Sequence, residues 1–232
     1  MAAGQREMNC NQVIDTLKSL ADPDYLAGMT HFAINTDKAL GVSAPRMRKL
    51  AKEIGTDHKL ALQLWESNIH EARVLAALVD DPKQVTKSQM NNWVRQFDNW
   101  GVCDACCYVL FDKTPFAWAK AVEWPKRKEE FVKRAGFVLM AALAVHDKRA
   151  PDKKFLPFFD IIKQHADDNR NFVKKAVNWA LRQIGKRNKL LNKKAVAVAK
   201  EIRKIDSPAA RWIAADAIRE LTNKKILARL RT

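Results

Sequence analysis

Two residues one helical turn apart, Trp100 and Asp104, form the first pair in this sequence that could do chemistry. On a helical wheel of residues 99–111, one side is aliphatic. The opposite side carries Trp100, Asp104, Cys107 and Phe111. The i,i+4 spacing places the carboxylate beside the indole on one face. Such a carboxylate could serve catalysis, or it could be a surface capping or salt-bridging residue.

Trp179 is a large aromatic residue outside the apolar face of its own helix. The apolar stripe of residues 172–186 consists of Phe172, Val173, Ala176, Val177, Ala180, Leu181 and Ile184. Trp179 lies about 115° from the centre of this stripe, among Lys175, Arg182 and Lys186. An aromatic ring among cations is typical of sites that meet a phosphate backbone and a sugar or base. The alternative is that a neighbouring helix covers the ring.

Arg134 opens another helix and has two possible uses. It could form a surface ion pair with Glu130, four residues earlier, which would contribute little. It could equally hold a phosphate through two parallel hydrogen bonds. The sequence fits both uses.

The motifs of nucleotide-cofactor enzymes and hydrolase triads are absent: the sequence has no GxGxxG, GxxxxGK[ST], HExxH or GxSxG. We therefore expect no cofactor. Cys103, Cys106 and Cys107 lack the second ligand pair of a zinc site and the strand context of a redox site. We predict small buried cysteines that pack a helix interface, and no metal. The five histidines, at positions 31, 58, 70, 146 and 165, show no ligand spacing.

Helices must position these residues, because almost every segment follows a period near 3.6 residues. Four predicted helices begin with a basic residue and a dense aliphatic run: 71–82, 132–148, 173–188 and 210–221. Aligning their basic residues, with one more helix at 99–112, gives a repeat of roughly 30 to 41 residues. The basic residues are Arg73, Arg134, Lys175 and Arg211. We predict an all-α fold, a HEAT- or armadillo-like helical repeat solenoid (α-α superhelix) forming one domain over residues 1–232. A plain helical bundle is the alternative.

The net charge of +16 lies in one half of the chain. Residues 1–116 carry 13 Lys and Arg against 14 Asp and Glu, whereas residues 117–232 carry 29 against 12. A field of this sign attracts polyanions, so nucleic acid is the first partner to consider. A merely basic surface is the alternative.

The apolar segments are too short for a membrane span. The longest uninterrupted apolar run covers residues 135–145, and a spanning helix needs roughly 18 residues or more. The N-terminal segment MAAGQREMNC has no apolar signal region, and three of the four cysteines lie within five positions. We expect an intracellular, cytoplasmic protein with reduced cysteines and no membrane partner.

Four segments resemble the HEAT-repeat DNA alkylation repair enzymes, the AlkD-like alkylpurine DNA glycosylases. They are TDKALGVSAPRMRKLAKEIG (36–55), DNWGVCDACC (98–107), EFVKRAG (130–136) and NFVKKAVNWALRQIGKRN (171–188). The resemblance covers nearly the whole chain. In that family the active cleft is built from a Trp-x-x-x-Asp pair, an Arg that opens a later helix and a Trp in a K-A-x-x-W helix. These match Trp100, Asp104, Arg134 and Trp179. Gly101 departs from the family pattern, since some members have an acidic residue after the first Trp.

The resemblance implies a glycosylase that hydrolyses the N-glycosidic bond of cationic alkylated purines, such as N7-methylguanine and N3-methyladenine, in duplex DNA. Asp104 would stabilise the oxocarbenium-like sugar and position water. Trp100 and Trp179 would flank the sugar and backbone, and Arg134 would hold the adjacent phosphate. The family does not place the base in a pocket.

Basic residues around this site would hold double-stranded DNA that contains alkylated bases. The candidates are Lys174, Lys175, Arg182, Lys186 and Arg187, with Arg46 and Arg48 in a helix near the N-terminus. We expect a monomer. Two alternatives remain: a non-catalytic HEAT-repeat protein that binds DNA structures, and a helical-repeat scaffold for protein interactions.

Overall fold

The computed structural model describes residues 8–32, 34 and 36–230. These residues form helices and connecting turns, with no β-strand among them, as the 3.6-residue period predicts. The chain divides into two compact units, Met1–Thr114 and Pro115–Thr232. They are called the N-terminal and C-terminal units below and are described separately. The single domain expected over residues 1–232 stays a prediction.

The N-terminal unit is built around α5. Its helices are α1 (Cys10–Ser19), α2 (Pro23–Thr30), α3 (Ala44–Ile54), α4 (His58–Glu66), α5 (His70–Val79), α6 (Lys87–Arg95) and α7 (Trp100–Ala105). A π-helical segment at Cys106–Leu110 and a 3-10 turn at Phe111–Lys113 follow α7. Helix α5 packs against α3, α4, α7 and the π-helical segment. The element that carries Trp100 and Asp104 therefore rests on the central helix of its unit.

Aromatic rings fill the core behind α5. Trp65 and Trp93 stack with ring centroids 4.0 Å apart, and Phe97 meets the edge of Trp65. Arg73 is buried against the Trp65 ring, with its guanidinium carbon 4.9 Å from the centroid. The same guanidinium donates to the Gln96 side chain at 2.8 Å and to the Gln96 backbone carbonyl at 3.3 Å. The basic residue that opens this repeat thus links α4, α5 and the end of α6.

The C-terminal unit is a stack of helices around α9 and α11. Its helices are α8 (Ala117–Glu123), α9 (Glu130–His146), α10 (Leu156–Gln164), α11 (Asn171–Gly185), α12 (Lys189–Ile202), α13 (Pro208–Leu221) and α14 (Lys224–Leu227), with 3-10 turns at Trp124–Lys126 and Asp152–Lys154. Helix α11 packs against α9, α12 and α13. Its neighbours α9 and α13 therefore frame the face on which Trp179 was predicted.

Helix α9 forms the interior layer of its unit, as its almost continuous apolar sequence predicts. Residues 134–144 are all buried. Gly136 lets α9 approach the turn at Pro125, because a Cβ atom at Gly136 would lie 2.3 Å from the Cδ atom of Pro125. Any larger residue would push the two segments apart.

The helix predicted over residues 99–112 differs from the observed structure. It is α-helical only over Trp100–Ala105 and widens into the π-helical segment at Cys106–Leu110. A π-turn bonds i to i+5 rather than i to i+4, so the rotation of 100° per residue fails after Ala105. Cys107 and Phe111, predicted on the face of Trp100 and Asp104, are fully buried. That part of the wheel prediction is wrong.

Candidate functional site

Trp100 stands at the start of α7 and is fixed by its indole nitrogen. Asn99 caps the helix, with its side chain accepting a hydrogen bond from the Val102 backbone N–H at 3.0 Å. The Trp100 Nε1–H donates to the Phe32 backbone carbonyl at 2.7 Å. The ring is half-buried. One edge is therefore held by the loop between α2 and α3, while part of the ring stays open to solvent.

A buried carboxylate anchors that loop. Glu71, fully buried in α5, accepts hydrogen bonds from the backbone N–H groups of Leu40, Gly41 and Val42, at 2.9, 2.8 and 3.3 Å. Gly41 has φ +79°, and a Cβ atom there would lie 2.3 Å from the Asp22 carbonyl oxygen. Glycine is thus needed where the loop turns beneath α5. The sequence analysis missed Glu71, although a carboxylate at the start of the dense aliphatic run of 71–82 was visible.

Asp104 lies one turn after Trp100 on α7 and is half-buried. The structure thus keeps the predicted pair on one short helix. This carboxylate is followed directly by the π-helical segment, and π-turns occur often at functional sites.

Gly101, the position that departs from the family pattern, lies between the two in a tightly packed place. A Cβ atom at position 101 would lie 3.1 Å from the Asn99 side-chain oxygen and 3.3 Å from a ring carbon of His70. The first of these atoms caps α7. Burial lowers the pKa of His70, although the charges of Glu71 and Asp98 oppose this shift, so the ring beside Gly101 stays neutral at pH 7. An acidic side chain at 101 would crowd both groups.

The three clustered cysteines pack the core of the N-terminal unit, as the packing interpretation predicts. Cys103, Cys106 and Cys107 are fully buried. Burial raises the pKa of the Cys106 and Cys107 thiols well above the usual value, so neither is a reactive thiolate at neutral pH. Within residues 8–32, 34 and 36–230, no group of three or more His, Cys, Asp or Glu side chains could hold a metal ion.

In the C-terminal unit the structure brings Arg134 and Trp179 together in one groove. The groove has a volume of about 390 Å³ and is called the tryptophan groove below. It is lined by Arg134, Lys175, Asn178, Trp179, Arg182, Trp212 and Asp216. Trp100 and Asp104 belong to the N-terminal unit. The four predicted catalytic residues thus form two pairs, one in each unit.

Arg134 is buried at the base of its helix, with 6% of its surface exposed. Its Nη1 donates to the Phe172 backbone carbonyl at 2.6 Å, in the first turn of α11. This bond orients the guanidinium between α9 and α11. Arg73 holds the corresponding position in its own repeat and also donates to backbone carbonyls. The repeat alignment thus pairs two arginines with a shared structural contact.

Trp212 is a groove residue that the sequence analysis missed. It lies on α13 with 41% of its surface exposed, and the Lys174 ammonium lies 5.2 Å from its ring centroid. The signal was present in the sequence: Trp212 and Asp216 have the same i,i+4 spacing as Trp100 and Asp104.

Two of the predicted DNA-binding cations, Arg182 and Lys186, face carboxylates of α13. Arg182 pairs with Glu220 and lies 3.4 Å from Asp216, and Lys186 pairs with Glu220 at 2.6 Å. One turn earlier, the Asn178 amide donates to Asp216 at 2.7 Å. Burial raises the pKa of Glu220, but the hydrogen bond from Lys186 and the charges of Arg182 and Lys186 outweigh it. The pKa of Glu220 is therefore lowered, and it is ionised at neutral pH. This set of contacts is called the α11–α13 ladder below.

Arg187 is half-buried and its guanidinium contacts other parts of the protein. Its guanidinium donates to the backbone carbonyls of Ala144, Asp147 and Ala150 at 2.8 to 3.1 Å and lies 4.2 Å from the ring centroid of Phe155. It caps the end of α9, and its predicted contact with DNA stays a prediction. Its position just past α11 gave no sign of this use, since the partners belong to other helices.

The remaining cations predicted to bind DNA are more exposed to solvent. Lys175 is exposed and Lys174 half-buried on α11. Arg46 and Arg48 are exposed on α3, and Arg46 donates to the Leu20 carbonyl at 3.1 Å.

Over residues 8–32, 34 and 36–230, none of the helices has the length and apolar character needed to cross a bilayer.

Comparison with known proteins defines the class of this fold. A solved structure described as "a new family of proteins related to the HEAT-like repeat DNA glycosylases with affinity for branched DNA structures" matches with a TM-score of 0.75 and 21% identity. The match covers 91% of this chain and 95% of that one. This confirms the predicted HEAT-like helical-repeat fold.

Two designed armadillo repeat proteins also match, at lower similarity. One, in complex with the peptide (KR)4, has a TM-score of 0.41 and 16% identity over 79% of this chain and 78% of its own. The other has a TM-score of 0.38 and 14% identity over 76% and 92%. None of the curated proteins compared with this chain matches it.

The family follows from the sequence itself. The sequence model of the family described as "DNA alkylation repair enzyme" matches residues 13–221. The chain therefore belongs to the DNA alkylation repair enzyme family, which confirms the resemblance inferred from its motifs.

Proposed function

We propose that this protein is a DNA N-glycosylase that removes cationic alkylated purines, N7-methylguanine and N3-methyladenine, from duplex DNA. The observation that carries the proposal is the half-buried Asp104, one turn from Trp100 on α7, in a chain of the DNA alkylation repair family. The reaction needs no cofactor, and we expect the protein to act as a monomer.

Base removal needs little help from a general acid. An N7- or N3-alkylated purine is already positively charged and leaves as a neutral base. As the N-glycosidic bond breaks, positive charge develops on the deoxyribose, as at the oxocarbenium-like centre in glycosidases. The Asp104 carboxylate stabilises that charge and positions the attacking water. Undamaged bases are spared because they are poorer leaving groups.

The other three residues hold the damaged nucleotide. Trp100 and Trp179 lie against the sugar and backbone, where their ring faces favour the developing cation and exclude water. Arg134 binds the adjacent phosphate. Its contact with the Phe172 carbonyl orients the guanidinium in the tryptophan groove. Lys174 and Lys175 supply part of the salt-dependent attraction to the backbone.

The test is release of free base from methylated duplex DNA, measured by chromatography. Wild-type protein should release N7-methylguanine or N3-methyladenine, and Asp104→Asn should lower the single-turnover rate by about 10²- to 10³-fold. Asp15→Asn, which changes an exposed carboxylate on α1, should keep the wild-type rate. The proposal fails if wild type releases no more base than Asp104→Asn while both variants remain folded.

A second candidate function is recognition of DNA structure without base removal. It is favoured by the match to a solved protein with affinity for branched DNA structures. In that case wild type would bind branched DNA with salt-dependent affinity and release no base from any methylated substrate. Asp104→Asn would then bind as wild type does.

A further inference from the structure

The tryptophan groove contains an aromatic surface that the proposed chemistry does not use. Trp212 lines it with 41% of its surface exposed, although large aromatic side chains are usually buried. The ammonium of Lys174, on α11, lies 5.2 Å from the centroid of the Trp212 ring on α13. Trp179 lines the same groove. The groove thus offers tryptophan rings from two helices to a flat, π-rich ligand.

Polar groups in the wall of the groove lack partners. Among the described residues, the Asn178 side-chain oxygen and the Arg182 Nε–H are buried and make no hydrogen bond. Asn178 is 1% exposed, and its amide N–H is already used by Asp216. One orphaned acceptor and one orphaned donor therefore lie one turn apart on α11. A buried polar group without a partner is destabilising, so a ligand that supplies both partners is favoured.

The chemistry of the groove selects among ligand classes. An inorganic anion would use the cations but leave the Asn178 acceptor unpartnered, and it would meet the carboxylate of Asp216. An apolar peptide would use the rings but would leave both orphaned groups buried. A nucleotide has a π face for Trp212, an edge with donors and acceptors, and a phosphate for Lys174 and Lys175. The net charge of +17 on residues 117–232 also favours a nucleotide, because it attracts anions.

We propose that the tryptophan groove is a binding site for an unpaired nucleobase of DNA, stacked on Trp212 with its edge toward Asn178 and Arg182. The base must be unpaired, because in a duplex both its faces are stacked and its pairing edge is occupied. This inference rests on the DNA-binding part of the proposed function and not on base removal.

The test compares two DNA duplexes that differ by one bulged 2-aminopurine, a fluorescent adenine analogue. Wild type should bind the bulged duplex more tightly than the paired one. Trp212→Ala should weaken binding of the bulged duplex by about 5- to 140-fold, the equivalent of 1–3 kcal/mol per stacked base. It should change the affinity for the paired duplex less than twofold. In the saturated complex, 2-aminopurine emission should be higher with the variant than with wild type, because stacking on the indole quenches it.

Two further variants keep the test decisive. Trp212→Gln preserves a polar surface and should behave as Trp212→Ala does. Leu190→Ala removes an exposed apolar side chain of α12 outside the groove and should bind both duplexes as wild type does. Equal losses on the two duplexes, or no loss on the bulged one, would overturn the proposal, as would wild-type binding without preference for the bulge.

The base-release assay separates this inference from the proposed glycosylase. A protein that binds the bulge through Trp212 but releases no methylated base keeps the groove proposal and loses the enzymatic one. If the protein releases methylated base but Trp212→Gln binds bulged DNA as wild type does, the glycosylase proposal stands and the groove proposal is lost.

Discussion

At the scale of single residues, the partner of a charged group decides its use. Arg73, Arg134 and Arg187 all donate to backbone carbonyls of neighbouring helices, whereas Lys175 is exposed in the tryptophan groove. The first three hold the helices in position, and for Arg134 the same contact aims the guanidinium at the groove. Charge alone would place all four on a phosphate surface.

Gly101 carries a prediction at this scale. Gly101→Asp would restore the acidic residue that some family members have, but the new side chain would crowd the Asn99 cap and His70. We expect a loss of about 1–3 kcal/mol in the free energy of unfolding, measured in urea. Gly28→Asp is the matched control, since a Cβ atom there meets nothing within 4 Å, and it should stay within about 0.5 kcal/mol of wild type. A Gly101→Asp protein as stable as wild type would contradict the crowding argument.

At the scale of elements, periodicity predicts helices well and the contacts between them poorly. The apolar stripe of 172–186 matches the buried face of α11, with Val173, Ala176 and Val177 at its centre. The wheel of 99–111 failed after Ala105, because nothing in the sequence marks a π-turn. The α11–α13 ladder was not predictable either, since i,i+4 spacing describes neighbours on one helix and not the carboxylates of another. Trp212 was missed although its i,i+4 spacing with Asp216 is visible in the sequence.

The ladder gives a prediction of its own. Glu220 pairs with Arg182 and Lys186, and Arg182 also faces Asp216, so Glu220→Gln should release Lys186 for a phosphate contact. DNA affinity should rise, and the slope of log K against log [salt] should steepen by about 0.9, the value for one added phosphate contact. Glu201→Gln makes the same charge change at an exposed pair with Lys163 and should leave the slope unchanged. The slopes are measured by fluorescence anisotropy titrations with DNA at several salt concentrations. Equal slopes for the two variants would show that the ladder stays closed on DNA.

At the scale of the whole molecule, the division of charge follows the division of structure. The boundary between the units falls after Thr114, and the excess of Lys and Arg begins in the residues beyond it. The sequence predicted this asymmetry but not that it coincides with a packing boundary, because charge carries no information on which helices stack. The N-terminal unit holds the carboxylate proposed for chemistry, and the C-terminal unit holds most of the cations predicted to bind DNA.

This division predicts a difference between lysines of the two units. Lys175 lines the tryptophan groove in the basic unit, whereas Lys87 is an exposed lysine at the start of α6 in the near-neutral unit. If Lys175 neutralises a phosphate, Lys175→Gln should reduce the magnitude of the salt slope for duplex DNA by about 0.9 and weaken binding to all sequences alike. Lys87→Gln removes the same charge and should keep the wild-type slope. Equal effects of the two substitutions would mean that DNA responds to the net charge of the protein and not to the surface that carries Trp179 and Arg134.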